Sequence, residues 1–446
     1  MSDEISELFR LQYAEAIKQQ VLGDDLGSKI FFLANEVQKG PLAGRNIPEA
    51  YTNLGLFHLG NNLLTTDNIY YNPSSIHGFD RAVRTYLNWV DSGGNDDDAL
   101  HDKFLSLLKD QNRAEKALGR EIKNGLESYK TEKEMGMVEQ PFNEWITFNF
   151  PSFKEIKNNA DGIANKIRGM QAQKGGAMAP SLDKDMGSLN AAREVLTHIY
   201  GFNMPVAAGS PLSSSEILHK LQSGETIPPP DSYHLPLYHS PTYKGFVQEA
   251  MNKGGSSDYN PSNSIDVEID TSKNTSDYNF GQTEGEPSGG IGWLAFNLSG
   301  DASTESSTLQ TGSESSEVSV KITYDNLQAV DIIPGNWAAD LSKYTLRSDA
   351  PEGVKTLAKV TQIVVVSGLG YEIEVGAETA ETLDQMLQET ENAGGTVTVF
   401  GIPIQLGAED THYTAWDKDS RTFRVIPNYN NNVATVVGVI GEAVGA

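Results

Sequence analysis

"TQIVVVSGLGYEIEVGAETAETL", residues 361–383, separates two readings of the fold. An apolar β-branched run, Ile363 to Val366, meets a small-residue turn, Ser367-Gly368-Leu369-Gly370, and a helix-like stretch follows. A dinucleotide-binding fold opens in this way. Its fingerprint is G-x-G-x-x-G leading at once into a helix whose N-terminus holds the pyrophosphate. Here Gly368 and Gly370 are in place, but Ile373 takes the third position and "YEIEV" alternates as a strand does. The valine run is therefore expected to be a buried strand and the glycine pair a hairpin turn. No cofactor is expected.

Outward from this stretch, the second half of the chain keeps a period of two. "SIDVEIDT" sets Ile265, Val267 and Ile269 against Asp266, Glu268 and Asp270, and "EVSVKITY" sets Val318, Val320 and Ile322 against Ser319, Lys321 and Thr323. Further strands are expected at 291–298, 327–333, 358–366, 370–375, 395–405, 411–416 and 421–426, with a short helix at 378–390. The segments 271–290 and 299–316 are long polar loops.

The first half keeps a helical period. Phe104, Leu107, Leu108, Ala114, Leu118 and Ile122 lie on one stripe of a helix over 98–135, about 50 Å long at the usual rise. Stripes after Pro151 and from Leu182 predict two more helices, with Gly175-Gly176 and Pro180-Ser181 marking the turn of a hairpin. Helices are also expected at 4–21, 28–38, 75–91, 214–222 (capped by Ser213 or Ser214) and 242–252. Five prolines within 224–243 read as an extended linker or strap.

The expected fold is thus α+β multidomain: an N-terminal bundle of long amphipathic helices, then a mainly antiparallel β-sandwich with long polar loops. The divisions are a helical domain at 1–223, a proline-rich strap with a short helix at 224–252, and a β-sandwich-like domain at 253–446.

Composition narrows the function classes. The 446 residues contain no cysteine, which removes disulfides and thiolate chemistry. The net charge of −26 argues against general nucleic-acid binding. That charge is uneven: residues 1–225 carry 30 acids and 23 bases, residues 226–446 carry 30 and 11. The N-terminus lacks the features of a signal peptide, so the expected location is cytoplasmic as synthesised, with non-classical release left open. Patterns for zinc peptidases, P-loops and nucleophile elbows are missing.

Some clusters invite a functional reading. His234 and His239, with Asp231, form the nearest approach to a metal set, but polar strap residues packing on the helices are the better account, and no metal is expected. The aspartates of 91–98 are read as helix capping ahead of calcium binding. The acidic strand 265–270 is read as an exposed face guarding a sheet edge. Trp337, Tyr413 and Trp416 are the candidate binding residues, since aromatics on sandwich loops stack on sugars or anchor proteins. Trp293 belongs to the core, and the Val-rich tail 433–444 is expected to complete a sheet.

The expected function is a non-enzymatic binding or assembly protein, with a β recognition domain and a helical domain for oligomerisation or membrane engagement. The layout is similar to that of toxin-like or pore-forming proteins, in architecture alone. Self-association is expected, with a membrane surface, glycan or protein receptor as further partners. The turn at 174–186 is the place to look for a membrane-seeking element, although an ordinary turn accounts for it better. The alternatives are an enzyme with a motif-free site between the halves, lined by His234, Tyr238 and His239, and a structural subunit.

Overall fold

A computed structural model describes residues 2–445 except 45, 72–77, 95–97, 209–212, 254–259, 268–269, 271, 274, 283–292, 298–306, 309–317, 407–411 and 430–432. Up to residue 253 the elements are α1 (Ser2–Val21), β1 (Lys29–Lys39), α2 (Glu49–Gly60), β2 (Leu64–Thr65), β3 (Tyr70–Tyr71), α3 (Phe79–Asn88), α4 (Asp98–Glu134), α5 (Phe142–Asn149), α6 (Pro151–Lys174), α7 (Ala179–Ala192), β4 (Asn203–Ala207), α8 (Ser214–Gln222), β5 (Ser232–Pro236), β6 (Tyr238–His239) and α9 (Tyr243–Lys253). Then come β7 (Asn263–Val267), β8 (Leu294–Asn297), β9 (Ser307–Thr308), β10 (Val318–Tyr324), β11 (Asn326–Asp331), β12 (Ile333–Pro334), α10 (Glu352–Lys355), β13 (Leu357–Ser367), β14 (Gly370–Val375), α11 (Ala377–Asn392), β15 (Thr396–Val399), β16 (Ile402–Gln405), β17 (His412–Asp417), β18 (Thr422–Pro427) and β19 (Thr435–Ala443). The chain is therefore mixed α+β. The parallel pair is β1 with β3, and the other named pairs are antiparallel.

A central sheet of order β11-β13-β19-β1-β3, with β2 also on β13, organises the molecule. It has a core on each face. In β1, Ile30, Phe32 and Ala34 enter one core while Phe31 and Leu33 enter the other. In β13, Ile363 and Val365 face the first core and Val364 and Val366 the second. A strand covered on both faces has no reason to alternate, so it reads as a continuous apolar run.

This corrects one expectation. Residues 28–38 form a strand, not a helix: the run Ile30–Ala34 is buried throughout, with β19 on one side and β3 on the other. The apolar tail does complete a sheet, as β19 between β13 and β1. Segments 1–223 and 253–446 thus contribute strands to one sheet.

The first core lies between this sheet and a helical layer. Tyr86, Leu87, Tyr129, Trp145, Phe153 and Leu189, from α3 through α7, pack there against the sheet. The strap is fixed by two short ladders, β5 on β4 and β6 on β12. Ser213 caps α8 in a reciprocal capping box with Glu216. The turn after α6 is held against residues 92–94, where a side chain on Gly176 would collide with the Ser92 carbonyl.

The second core encloses α1. Leu11, Tyr13 and Ile17 are fully buried between the central sheet and two others, of orders β17-β18-β14-β10-β7 and β16-β15-β8-β9. The opening stretch is where the chain passes between sheets. β13 belongs to the central sheet and β14 to the five-stranded one, so Gly368 does not close a hairpin. The chain makes the same passage from β10 to β11 at Asp325, whose amide donates to the Ser367 carbonyl at 2.9 Å. Two long antiparallel strands therefore bend together at one corner. The bend needs Gly368 because its φ of +62° is a left-handed conformation that side chains rarely adopt, and a Cβ there would also crowd the Asp325 carboxylate. Beyond it, residues 395–405 split into a hairpin, β15 and β16, over Phe400-Gly401, both at positive φ.

Candidate functional site

Asp80 and Arg84 sit one turn apart on α3, within the face that also buries Val83 and Leu87. Charges on a buried face require partners. Arg84 binds the Glu115 carboxylate of α4 and, at 2.5 Å, Oδ1 of Asn190 on α7. Arg193, which ends α7, bridges Glu115 and Asp80, each at 3.2 Å. Asn61, just after α2, exchanges two 2.9 Å bonds with Asp80 and accepts from the Tyr238 hydroxyl. Three helices and the strap are tied by this alternating chain of charge.

The network forms the floor of a cleft of about 720 Å³. One wall is apolar and comes from successive turns of α4: Leu118, Ile122 and Leu126. From α6 the lining takes Ala160 and Ala164 together with Lys157, Asp161, Asn165 and Arg168. The strap closes one end with Tyr233, His234 and Leu235. Every lining residue lies between 57 and 236, so the cleft belongs to the helical part and the strap.

Electrostatics divide the cleft. Burial pushes the Glu115 carboxyl up, but the Arg193 and Arg84 guanidiniums outweigh it and hold it below its ordinary value. Burial and the neighbouring Arg193 push the Arg84 guanidinium down to about 10. Burial likewise lowers the His234 imidazole, which stacks on His198 at 5.4 Å with planes 12° apart. Higher up, Lys157 pairs with Asp161 at 2.9 Å and Glu194 at 3.3 Å.

The residues singled out from sequence do not meet at one place. Trp337 is fully buried in the first core, its indole N–H donating to the Leu237 carbonyl at 2.9 Å and its ring edge-on to Tyr238. Tyr413 and Trp416 share β17, but an odd spacing points them to opposite faces: Tyr413 is 41% exposed, while Trp416 packs on the second core. Trp293 is buried in that core, as expected. Of the strap residues named for a site, His234 lines the cleft, Tyr238 lies buried behind Asn61, and His239 pairs with Ile333 on β12.

Asp231 is engaged by Lys133 and Tyr129, both at 2.8 Å, and no metal-competent cluster of three or more ligands occurs among the described residues. Asp266 is exposed on β7, an edge strand of its sheet. Glu268 and Asn95 to Asp97 lie outside the described residues.

Sequence reasoning missed the network and the cleft. A signal was present in "FDRAVRTYLN", where Asp80 and Arg84 fall at helical spacing on the same stripe as Val83 and Leu87. Paired charges inside an apolar stripe call for partners from other elements, and sequence spacing does not identify those partners.

Compared with protein-family models, curated proteins and solved structures, the chain matches none. Among the described residues, no helix is long and apolar enough to cross a membrane.

Proposed function

We propose that the protein is a non-enzymatic binding protein whose ligand site is the cleft between α4, α6 and the strap. One observation carries the reading: a cleft of about 720 Å³ combines an apolar wall with a floor of mutually bonded charges. Ligand sites share this character, apolar area for affinity and a few fixed polar groups for orientation. In this reading the helices of 1–223 form a bundle that holds the ligand, and the strands of 253–446 form a sandwich-like part around α1 that presents polar loops for recognition.

The test is fluorescence titration with two small amphiphiles, N-phenyl-1-naphthylamine and 8-anilinonaphthalene-1-sulfonate. At least one is expected to bind at a single saturable site that Ala164→Phe removes by filling the cleft. Binding of neither would overturn the reading.

A second reading, engagement of a membrane or protein surface, is favoured by three exposed side chains beyond the end of α4. Met135, Met137 and Phe148 are 67%, 73% and 77% exposed. Large exposed apolar groups suit a contact surface. Co-sedimentation with vesicles, reduced by Phe148→Glu, is the expected result. No sedimentation with neutral or anionic vesicles would remove the membrane form of this reading. Self-association, or a glycan or protein receptor, remains its other form, and sedimentation equilibrium measures the first.

A further inference from the structure

The cleft has a charge opposite in sign to the chain that carries it. Its lining holds six bases (Arg81, Arg84, Lys123, Lys157, Arg168 and Arg193) against four acids (Asp80, Glu115, Asp161 and Glu194), on a chain of net charge −26. Resting on the reading of the cleft as a ligand site, we infer that its ligand is a small amphiphile with one oxyanionic end. The anionic end lies toward Arg84 and Arg193, and the apolar body runs along Leu118, Ile122 and Leu126.

The geometry supports this polarity. The four acids of the lining have internal partners: Glu115 takes both floor guanidiniums, Asp80 takes Arg193 and Asn61, and Lys157 holds Asp161 and Glu194. Two of the rim bases look outward for theirs. Lys123 reaches Glu127 at 3.7 Å and Arg168 reaches Asp183 at 3.3 Å, and neither carboxylate lines the cleft. These pairs are solvent-exposed, with Lys123 at 76%, and such pairs yield readily to a better-placed anion.

Arg84 lies on the floor at 9% exposed, and its Nε, itself buried, has no hydrogen-bond partner among the described residues. Arg84 and Arg193 share the Glu115 carboxylate there, Arg193 also pairs with Asp80, and burial with the neighbouring Arg193 lowers the Arg84 value. An oxyanion reaching these guanidiniums would gain charge-assisted hydrogen bonds. The wall explains the rest of the ligand. Leu118, Ile122 and Leu126 lie on successive turns of one helix, an apolar strip about 12 Å long at the usual rise per residue.

The two fluorophores separate the ligand class from the existence of the site. 8-Anilinonaphthalene-1-sulfonate carries a sulfonate, and N-phenyl-1-naphthylamine is the same ring system without it. The sulfonate is expected to bind at least roughly tenfold more tightly, the scale of one charge-assisted hydrogen bond. Its affinity is expected to fall as salt rises from about 0.02 M to about 0.5 M, while that of the neutral compound holds. Arg84→Gln is expected to weaken the sulfonate about tenfold and to leave the neutral compound within about twofold.

Should Arg84→Gln fail to fold, the exposed pair Lys123→Gln with Arg168→Gln is expected to weaken the sulfonate alone. Equal affinities for both compounds, with both lost in Ala164→Phe, would overturn the anionic class and leave the ligand site standing. Sulfonate binding untouched by Ala164→Phe would place the anion elsewhere and overturn the inference. Binding of neither compound removes the site itself.

Discussion

Around α1 and beside α4 the chain buries polar groups in two different ways. At α1 they are sealed: Tyr13 and Tyr371 bond hydroxyl to hydroxyl at 2.9 Å in full burial, and Arg10 lies over the Tyr70 ring, capped by the Ala34 carbonyl at 3.0 Å. Beside α4 the Asp80–Arg193–Glu115–Arg84 chain is bonded with equal care but left at the bottom of an open cleft. The side chains around each explain the difference. Phe400 stacks on Tyr13 at 4.6 Å, and Trp293 and Phe9 fill the space behind it. Beside Leu118 and Ile122 the cleft lining includes two alanines of α6, Ala160 and Ala164. Aromatic residues close a core; small residues beside a charged floor leave room for something else.

Four substitutions sharpen or break this contrast. The largest effect is expected from Trp337→Ala, which empties a fully buried site in the first core and should cost about 3–5 kcal/mol in denaturant unfolding. A loss below about 1 kcal/mol would show that this core tolerates a void and is less closed than its packing indicates.

Glu115→Gln comes next, at about 1–3 kcal/mol near neutral pH, because two guanidiniums lose their shared carboxylate. The pH dependence has a definite sign. The folded Glu115 value lies below the unfolded one, so its contribution is present above the ordinary glutamate range and is lost as pH falls through the folded value. The wild-type stability curve should therefore fall more steeply below about pH 4 than that of the variant. Parallel acid limbs would mean that the network does not stabilise the fold through this carboxylate.

Gly368→Ala should cost about 1–2 kcal/mol, since it forces a side chain into the left-handed region and against Asp325 at the sheet corner. Thermal unfolding would read it, and an unchanged midpoint would mean that the corner relaxes freely. Tyr413→Ala should change stability by no more than about 0.5 kcal/mol, as expected for a residue on the outer face of an edge strand. A larger loss would mean that this face is covered in solution.

The two regions also differ in how far they could be read from sequence. α4 was legible almost to the residue, at 98–134 against an expected 98–135, because a helix exposed on one side must alternate every three or four positions. β10, β14 and β18 were legible because one of their faces is polar. β1 was not, since burial on both faces erases its period. α2 and α5 were not anticipated either. Both are short, and short helices are marginal without tertiary packing; α2 packs on β4 and α5 on α4 and α6.

By itself the sequence determined the mixed α+β class, the order of most helices and strands, and the rejection of a dinucleotide fingerprint at Gly368. These follow from local rules, in which a residue's period and turn chemistry depend on its near neighbours. Only the tertiary structure decided that residues 29–39 and 435–443 lie side by side, that Trp337 is buried away from Tyr413, and that Asp80, Arg84, Glu115 and Arg193 meet. Each of those contacts joins segments tens to hundreds of residues apart. Such contacts are fixed by which surfaces bury together and which charges must then be paired, and no local pattern records either.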